Sequence, residues 1–321
     1  MADCRRRDRL NAAVTGGTQI TVPVPSRHDR VRRLLAAPPP GTRVLGFPGP
    51  PTDRAQWRAR LRGADTVLHF FDDGQLPTDL LLAAAPRTVA IAGPAGGCVD
   101  AAALRGAGIT VLDTPGAAVR AVAEHTVSLI LQAARSPLGH QPWDGRPPPP
   151  GVELEDAVLG LVGFGLVART VARLCQGLGM RVHTCSAHLS AAEAAALGVE
   201  RVPLGELLAG SDVVSVHLRA APSTAERLDR GLLGLLRPDT VLVNTARADV
   251  IDMAALRELV RAGRLRRVAL DVFDIEPLPA DDILRTSPGV VVTPHTAWLT
   301  GRSIDRMVSR ALLNCLPRKD D

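Results

Sequence analysis

The sequence predicts an α/β protein built from two open, doubly wound parallel sheets. Short apolar runs alternate with helical stretches along the whole chain, and in the second half polar residues recur directly after those runs. Such alternation favours right-handed crossovers and therefore parallel strands covered by helices. The first half has five strand-like runs, at 20–25, 42–47, 65–71, 87–93 and 109–114. The second half has seven, at 158–163, 180–185, 200–203, 212–218, 240–245, 266–273 and 289–293.

Two further segments predict helices, one before and one after the second series of strands. Residues 117–135 form a long Ala-rich and apolar stretch, which is typical of a mostly buried helix. Residues 303–316 predict one more helix near the end of the chain.

The composition is typical of a globular protein. Of the 321 residues, 46% are hydrophobic and 22% are charged, and no run of roughly 18 apolar residues is present to cross a membrane. The net charge is +5, but the arginines are spread along the chain, and the five Phe with no Tyr offer few rings for base stacking. We therefore expect neither a nucleic-acid nor a membrane partner, and the positive charge suits a small anionic ligand.

The cysteines indicate a reducing environment. The five of them, Cys4, Cys98, Cys175, Cys185 and Cys315, lack the short spacings of a zinc site or a disulfide framework. We therefore predict no metal site and a cytoplasmic location. The basic N-terminal stretch also lacks the apolar segment of a secretory signal.

A glycine-rich turn predicts a nucleotide-binding site. The pattern Gly163-x-Gly165-x-x-Ala168 follows the apolar run VLGLV and opens a helical stretch. Gly163 permits the tight turn, Gly165 lets the backbone approach a pyrophosphate, and Ala168 allows close packing of helix and strand. The helix N-terminus, with Leu166 and Val167, would bind the diphosphate. The alternative is a purely structural glycine turn.

The position that selects the dinucleotide is unusual. About 20 residues after such a turn, a carboxylate normally binds the adenosine ribose hydroxyls. Ser186 occupies this place, and no Asp or Glu adjoins it. Loss of the carboxylate removes the repulsion of a 2′-phosphate, yet no Arg follows to bind one, and His188 is a weak substitute. The choice between NAD and NADP stays open at this point.

Four ordered segments, the glycine turn among them, resemble one enzyme family. LGLVGFGLVART, VLVNTARADVID, ALDVFDIEPLP and VVVTPHTAW are similar in order and spacing to the signatures of the D-isomer-specific 2-hydroxyacid dehydrogenases, such as phosphoglycerate dehydrogenase and glyoxylate/hydroxypyruvate reductase. DTPGAAVRAVAEHT resembles the family's hinge and long helix, so the likeness covers about residues 87–316. It implies hydride transfer between a nicotinamide cofactor and a small 2-keto acid or D-2-hydroxy acid such as glyoxylate, hydroxypyruvate or 3-phosphoglycerate.

The resemblance implies a catalytic set of Arg247, Glu276 and His295, each a few residues after a strand-like run. Arg247 would bind and orient the substrate carboxylate, because a guanidinium presents paired donors in the carboxylate plane. His295 would exchange a proton with the carbonyl oxygen. Glu276 would hydrogen-bond to that imidazole and favour its charged form. Nearby, Asp274 is expected to face solvent.

The other seven histidines are given structural interpretations. His125 is expected in the long helix and His217 at a strand end near the cofactor. The remaining five are interpreted as surface or loop groups: His28, His69, His140, His183 and His188.

The same resemblance implies further binding residues. The cofactor set is Gly163, Gly165, Leu166, Val167, Ser186, His217, Thr245, Ala246 and Asp271, the last of which resembles the family residue that contacts the nicotinamide carboxamide. The substrate set is Ala95 and Gly96, in a loop that departs from the family's usual pattern, with Arg247 and Trp298. Trp298 could instead be packing at the hinge.

The domain prediction joins residues 1–114 and 297–321 in a flavodoxin-like substrate domain and assigns 115–296 to a Rossmann NAD(P)-binding domain, with a cleft between the two. The resemblance also implies a homodimer. The alternative function is a catalytically silent NAD(H)-sensing protein on the same scaffold, which an intact Arg247, Glu276 and His295 set disfavours. The particular keto acid and the physiological direction stay open.

Overall fold

The structure is a computed structural model that describes residues 18–135, 150–219 and 223–317. The chain divides into two compact units. Unit 1 consists of Met1–Ala118 and Thr300–Asp321, and unit 2 consists of Val119–Leu299. The chain therefore passes from one unit to the other after Ala118 and again after Leu299. The sequence predicts these two crossings three or four residues earlier, after residues 114 and 296.

Unit 1 contains a five-stranded parallel sheet. Its strands are β1 (Thr18–Thr21), β2 (Thr42–Leu45), β3 (Thr66–Phe70), β4 (Thr88–Ala92) and β5 (Thr110–Leu112). Their order is β2-β1-β3-β4-β5, which is the flavodoxin order. Every residue of β3 and β4 is buried, as expected for central parallel strands covered on both faces. The helices between the strands are α1 (Asp29–Ala36), α2 (Arg54–Leu61), α3 (Thr78–Ala84) and α4 (Ala101–Gly106).

Unit 2 contains a seven-stranded parallel sheet of the Rossmann type. Its strands are β6 (Val158–Val162), β7 (Arg181–Cys185), β8 (Val199–Arg201), β9 (Val213–Val216), β10 (Val241–Asn244), β11 (Arg267–Leu270) and β12 (Val290–Val292). The order is β12-β11-β10-β9-β6-β7-β8. The chain direction across the sheet reverses between β6 and β9, and at such a switch point ligands bind beyond the carboxyl ends of the strands.

Helices cover both faces of this sheet. They are α5 (Val119–Ala134), α6 (Leu166–Gln176), α7 (Ala191–Ala196), α8 (Leu204–Gly210), α9 (Arg230–Leu233), α10 (Met253–Arg261) and α11 (Ile283–Thr286). Alternate strand residues belong to different core clusters: Val214 and Leu242 are buried with residues of α8 and α10, while Val213 and Val241 are buried with residues of α5 and α6. Because successive side chains of a strand point to opposite faces, each of these strands contributes to the apolar cores on both sides of the sheet.

The last helix, α12 (Gly301–Asn314), returns to unit 1. Thr300 caps its N-terminus by accepting a hydrogen bond from the Ser303 amide. Asp305 on this helix forms a two-pronged ion pair with Arg30 of α1, with both N–O distances at 2.6 Å. Within the described ranges, no helix is long and apolar enough to cross a membrane.

The fold class predicted from the sequence is confirmed, and each predicted strand lies within a few residues of an observed one.

The interpretation of two histidines is wrong. His69 is a fully buried member of β3, where its Nε2 lies 2.8 Å from the Gly74 carbonyl oxygen and burial lowers the pKa of the imidazole. His183 is a half-buried member of β7, and its Nε2 lies 3.3 Å from a Glu200 carboxylate oxygen. His140 lies outside the described residues.

A buried arginine ties the sheet of unit 2 to its longest helix. Arg267 of β11 is only 8% exposed. Its guanidinium donates to the carbonyl oxygens of Ala133 and Ala134, at the end of α5, and to that of Pro150, at 2.6–3.2 Å. The last carbonyl groups of a helix have no partner within the helix, and a cation there also interacts favourably with the negative end of the helix dipole.

We expect Arg267→Met to lower the free energy of unfolding by about 1–3 kcal/mol, because these buried carbonyls lose charge-assisted donors. Urea denaturation followed by circular dichroism measures the change. Arg266→Met removes the same charge from a side chain that is 65% exposed, and it should change the stability by less than about 0.5 kcal/mol. Equal effects of the two substitutions would contradict the assigned role.

Candidate active site

The predicted cofactor residues lie in a row along one edge of the unit 2 sheet. The final residues of β7, β6, β9, β10, β11 and β12 are in register, in the order Cys185, Val162, Val216, Asn244, Leu270 and Val292. The residues that come next in the chain are Ser186, Gly163, His217, Thr245, Asp271 and Thr293. Five of these six are predicted cofactor residues, so the register of the strands brings distant parts of the sequence to a common edge.

The glycine turn has the geometry its spacing predicts. Gly163 has φ of +92°, and a Cβ atom there would lie 3.0 Å from the His217 carbonyl oxygen. Gly165 is the N-cap residue of α6 and borders open space, with no atom within 4 Å of a hypothetical Cβ. No side chain caps this helix, so the first amides, including those of Leu166 and Val167, can bind an anion.

A groove of about 1110 Å³ opens over this turn. It is lined by Gly163, Gly165, Ser186 and His217 among others. The size of the groove, the close backbone at Gly163 and the uncapped helix N-terminus fit a dinucleotide whose diphosphate lies on α6. Burial lowers the pKa of His217 to about 4, so this imidazole is neutral at pH 7, and its Nε2 lies 3.0 Å from the Ser215 hydroxyl.

The turn that carries Arg247 is held by hydrogen bonds to the buried side chain of Asn244. Asn244 is fully buried at the end of β10; its side chain donates to the Arg247 carbonyl oxygen and accepts from the Ala246 amide, both at 2.9 Å. The adjacent Thr245 hydroxyl lies 2.7 Å from that of Thr126 on α5. Arg247 itself is exposed, and its Nη1 donates to the Ala246 carbonyl oxygen. Among the described residues no carboxylate pairs with it, which leaves the guanidinium able to bind an anion.

His295 and Glu276 are in direct contact. Nδ1 of the imidazole lies 2.9 Å from Oε2 of the carboxylate, and Oε1 accepts a hydrogen bond from the Phe273 amide at 2.9 Å. The His295 side chain is 41% exposed. The carboxylate therefore binds Nδ1–H, and Nε2 is not used in this contact.

The turn that carries His295 is built around Asp271. This carboxylate is fully buried directly after β11. It accepts hydrogen bonds from the Thr293 hydroxyl at 2.5 Å and from the amides of Thr296 and Ala297 at 2.8 Å. Because the Thr293 hydroxyl is used as a donor to Asp271, His125 on α5 must donate from Nε2 to that same oxygen, at 3.0 Å.

A second cluster holds the segment that carries Glu276. Arg257 of α10 donates to both carboxylate oxygens of Asp274, at 2.7 and 2.8 Å, and to Asp282 at 2.9 Å. These contacts raise the pKa of Arg257 and lower that of Asp274. Asp274 is exposed, in keeping with its expected position, yet it also fixes the start of this loop.

The remaining predicted substrate residues have defined surroundings. Trp298 is 7% exposed, and its Nε1 donates to the His295 carbonyl oxygen at 3.1 Å, which favours the packing interpretation left open by the sequence. In unit 1, Ala95 and Gly96 follow β4; Ala95 is buried and Gly96 is exposed. Cys98 lies beneath this loop, and burial raises the pKa of its thiol to about 11.

Sequence reasoning missed three contributors to the site: His125, Asn244 and Arg257. Each holds a loop in place through hydrogen bonds, and none of the three follows a strand directly. Asn244 could have been identified from the sequence, because an Asn side chain at the end of a strand commonly hydrogen-bonds to the backbone of the turn that follows. Within the described ranges, no group of three or more His, Cys, Asp or Glu side chains is arranged to hold a metal ion.

The fold and this row of residues define a Rossmann-type α/β protein. Residues 127–297 match the family model described as "D-isomer specific 2-hydroxyacid dehydrogenase, NAD binding domain". The chain belongs to the D-isomer-specific 2-hydroxyacid dehydrogenase family, and its cofactor class is a nicotinamide dinucleotide.

Individual relatives agree with this assignment. The chain is 33% identical over 274 residues to a glyoxylate reductase of Aeropyrum pernix, covering 80% of each protein. It is 36% identical over 234 residues to a D-3-phosphoglycerate dehydrogenase of Mycobacterium tuberculosis, which covers 70% of this chain but only 44% of that relative. A crystal structure of a phosphoglycerate oxidoreductase from Vibrio cholerae superposes with a TM-score of 0.75 at 27% identity, covering 92% of this chain and 97% of the other.

We expect Asp271→Asn to lower the free energy of unfolding by about 1–3 kcal/mol, because an amide offers donors where three donors already point at the carboxylate. Thermal and urea denaturation measure the loss. Asp281→Asn, a change on an exposed side chain ten residues away in the same segment, serves as the control. A loss no larger than that of the control would mean that the Asp271 carboxylate does not organise the turn.

Proposed function

We propose that this protein is an oxidoreductase that interconverts small 2-keto acids and D-2-hydroxy acids. A bound nicotinamide dinucleotide supplies or accepts the hydride. The observation that carries the proposal is the His295–Glu276 contact at 2.9 Å, placed at the same sheet edge as the glycine turn. Membership of the dehydrogenase family gives the contact its chemical meaning.

Each of the three proposed catalytic residues has a separate task. Arg247 binds the substrate carboxylate, for which its exposed guanidinium, with no carboxylate partner in the described ranges, is suited. His295 donates a proton from Nε2 to the carbonyl oxygen during reduction and takes it back during oxidation. Glu276 holds the imidazole through Nδ1 and stabilises its charged form, so that the proton is available when the carbonyl oxygen gains charge.

The other predicted residues complete the proposal. The glycine turn, Ser186, His217, Thr245, Ala246 and Asp271 would contact the cofactor or shape its site, and the loop with Ala95 and Gly96 is proposed separately to contact the substrate. Glyoxylate, hydroxypyruvate and phosphohydroxypyruvate are the first substrates to try, since relatives are named for glyoxylate and for phosphoglycerate.

A homodimer in the cytoplasm is part of the same proposal. The reducing location is supported by Cys98, Cys175, Cys185 and Cys315, which are all free thiols in the described residues. Burial raises the pKa of Cys175 and Cys315 to about 12, so these thiols stay protonated and are suited to core packing rather than to redox chemistry.

The proposal predicts oxidation of NADH or NADPH in the presence of at least one acid from a panel of glyoxylate, hydroxypyruvate, pyruvate, phenylpyruvate and phosphohydroxypyruvate. We expect His295→Ala to reduce the turnover number by a factor of about 10²–10⁴, because general acid–base catalysis is lost. Loss of absorbance at the wavelength of the reduced nicotinamide measures the rate. Dinucleotide binding without turnover on any acid would instead support the silent sensor.

A second prediction concerns the charge of Glu276. With Glu276→Gln, which keeps the side-chain length and removes the charge beside Nδ1 of His295, we expect the turnover number in reduction to fall about tenfold or more. Steady-state rates with the best acid of the panel test this, with Asp281→Asn as the control. A turnover number equal to that of the control would reject the electrostatic role of Glu276.

A further inference from the structure

The groove over the glycine turn has an unusual charge. Among the described residues that line it, three are arginines, Arg201, Arg219 and Arg227, and none is Asp or Glu. No carboxylate of the described ranges forms an ion pair with any of the three guanidinium groups. The part of the groove that the structure describes is therefore positively charged.

One of these arginines, Arg201, lies on the strand next to the position that selects the dinucleotide. Strand β8 pairs in parallel with β7, with Arg201 opposite Thr184, and the Val202 amide donates to the Thr184 carbonyl oxygen at 3.1 Å. Ser186 lies two residues beyond Thr184, at the end of β7 where the ribose-binding carboxylate is normally found. Arg201, Ser186 and His188 all line the same groove.

The nearest acid on the strand does not reach this groove. Glu200 precedes Arg201 on β8, and its carboxylate lies 3.3 Å from Nε2 of His183, with which it is paired across the strands. Neighbouring residues of a strand point to opposite faces, so Glu200 does not neutralise the side of the strand on which Arg201 lies. Arg201 itself is exposed and available to an anion.

We propose that this groove selects the dinucleotide that carries a phosphate on the 2′-oxygen of the adenosine ribose, and that Arg201 binds this phosphate. The inference rests on the proposed function. Ser186 replaces the carboxylate that would repel the phosphate and offers it a hydroxyl donor. The arginine that linear spacing fails to supply after β7 comes from the adjacent strand β8, through the register of the sheet. A guanidinium is suited to this role because its paired donors match the phosphate oxygens.

Calorimetric titration with NADPH and with NADH, in the absence of any keto acid, tests the inference by binding alone. We expect NADPH to bind about tenfold or more tightly than NADH. Arg201→Met should weaken NADPH about 10- to 100-fold, the range of charge-assisted hydrogen bonds to a phosphate, and change NADH less than about threefold. Arg173→Met, which removes the same charge from an exposed position on α6 outside the groove lining, should leave the ratio unchanged.

A second variant tests the same site from the opposite direction. Ser186→Asp restores a carboxylate at the end of β7, so it should weaken NADPH about tenfold or more and improve NADH. Thermal unfolding of each variant verifies that it is folded. Adenosine 2′,5′-bisphosphate and AMP serve as smaller probes, and the first should bind more tightly because only it carries the 2′-phosphate.

Results that contradict the role of Arg201 differ from results that contradict the proposed function. Equal or tighter binding of NADH by the unaltered protein, or an unchanged ratio in Arg201→Met, would overturn the inference and leave the dehydrogenase proposal intact. Loss of NADPH preference in Arg219→Met or Arg227→Met, with none in Arg201→Met, would also overturn the assignment of Arg201. No binding of either dinucleotide would contradict the proposed function itself.

Discussion

The geometry of the site depends on one buried carboxylate, that of Asp271. Burying a charge is costly unless hydrogen bonds replace the lost water, and Asp271 receives three, from Thr293, Thr296 and Ala297. These donors flank His295, whose backbone has φ of +53°, a left-handed conformation that costs a non-glycine residue of order 1–3 kcal/mol. The carboxylate therefore fixes a strained turn and with it the direction of the imidazole.

Two histidines on the same sheet edge show how surroundings assign different roles to one residue type. His217 lies in the groove, where burial lowers its pKa to about 4, so it is a neutral hydrogen-bonding group at pH 7. His295 is more exposed and has a carboxylate at Nδ1. A carboxylate against the ring suits the acid–base role proposed for His295, whereas the neutral ring of His217 suits the cofactor-side role proposed for it.

The sequence indicates the fold more completely than it indicates the supports of the site. Apolar runs mark the twelve strands of the described residues, most strongly the central ones, because parallel strands buried on both faces need apolar side chains. Motif order also points to Glu276 and His295, whose atoms lie 2.9 Å apart. The sequence gives no sign that His125 bonds to Thr293, 168 positions away, or that His69 is buried, because these depend on how elements pack. Arg201 has no signal of this kind for a similar reason, because the usual spacing points only to residues that follow β7, whereas neighbours in a sheet come from other strands.

Uncompensated positive charge links the cofactor groove to the proposed catalytic residues. The three arginines of the groove and Arg247 all lack carboxylate partners among the described residues, whereas Arg30, Arg230 and Arg257 elsewhere in the chain are ion-paired. Unpaired like charges on one edge repel one another and lower the stability of the folded protein. A fold accepts that cost where anions bind, and a dinucleotide and a keto acid are both anions. Near the proposed site, the arginines without carboxylate partners among the described residues are therefore suited to bind anions, whereas the ion pairs of Arg30, Arg230 and Arg257 stabilise the fold.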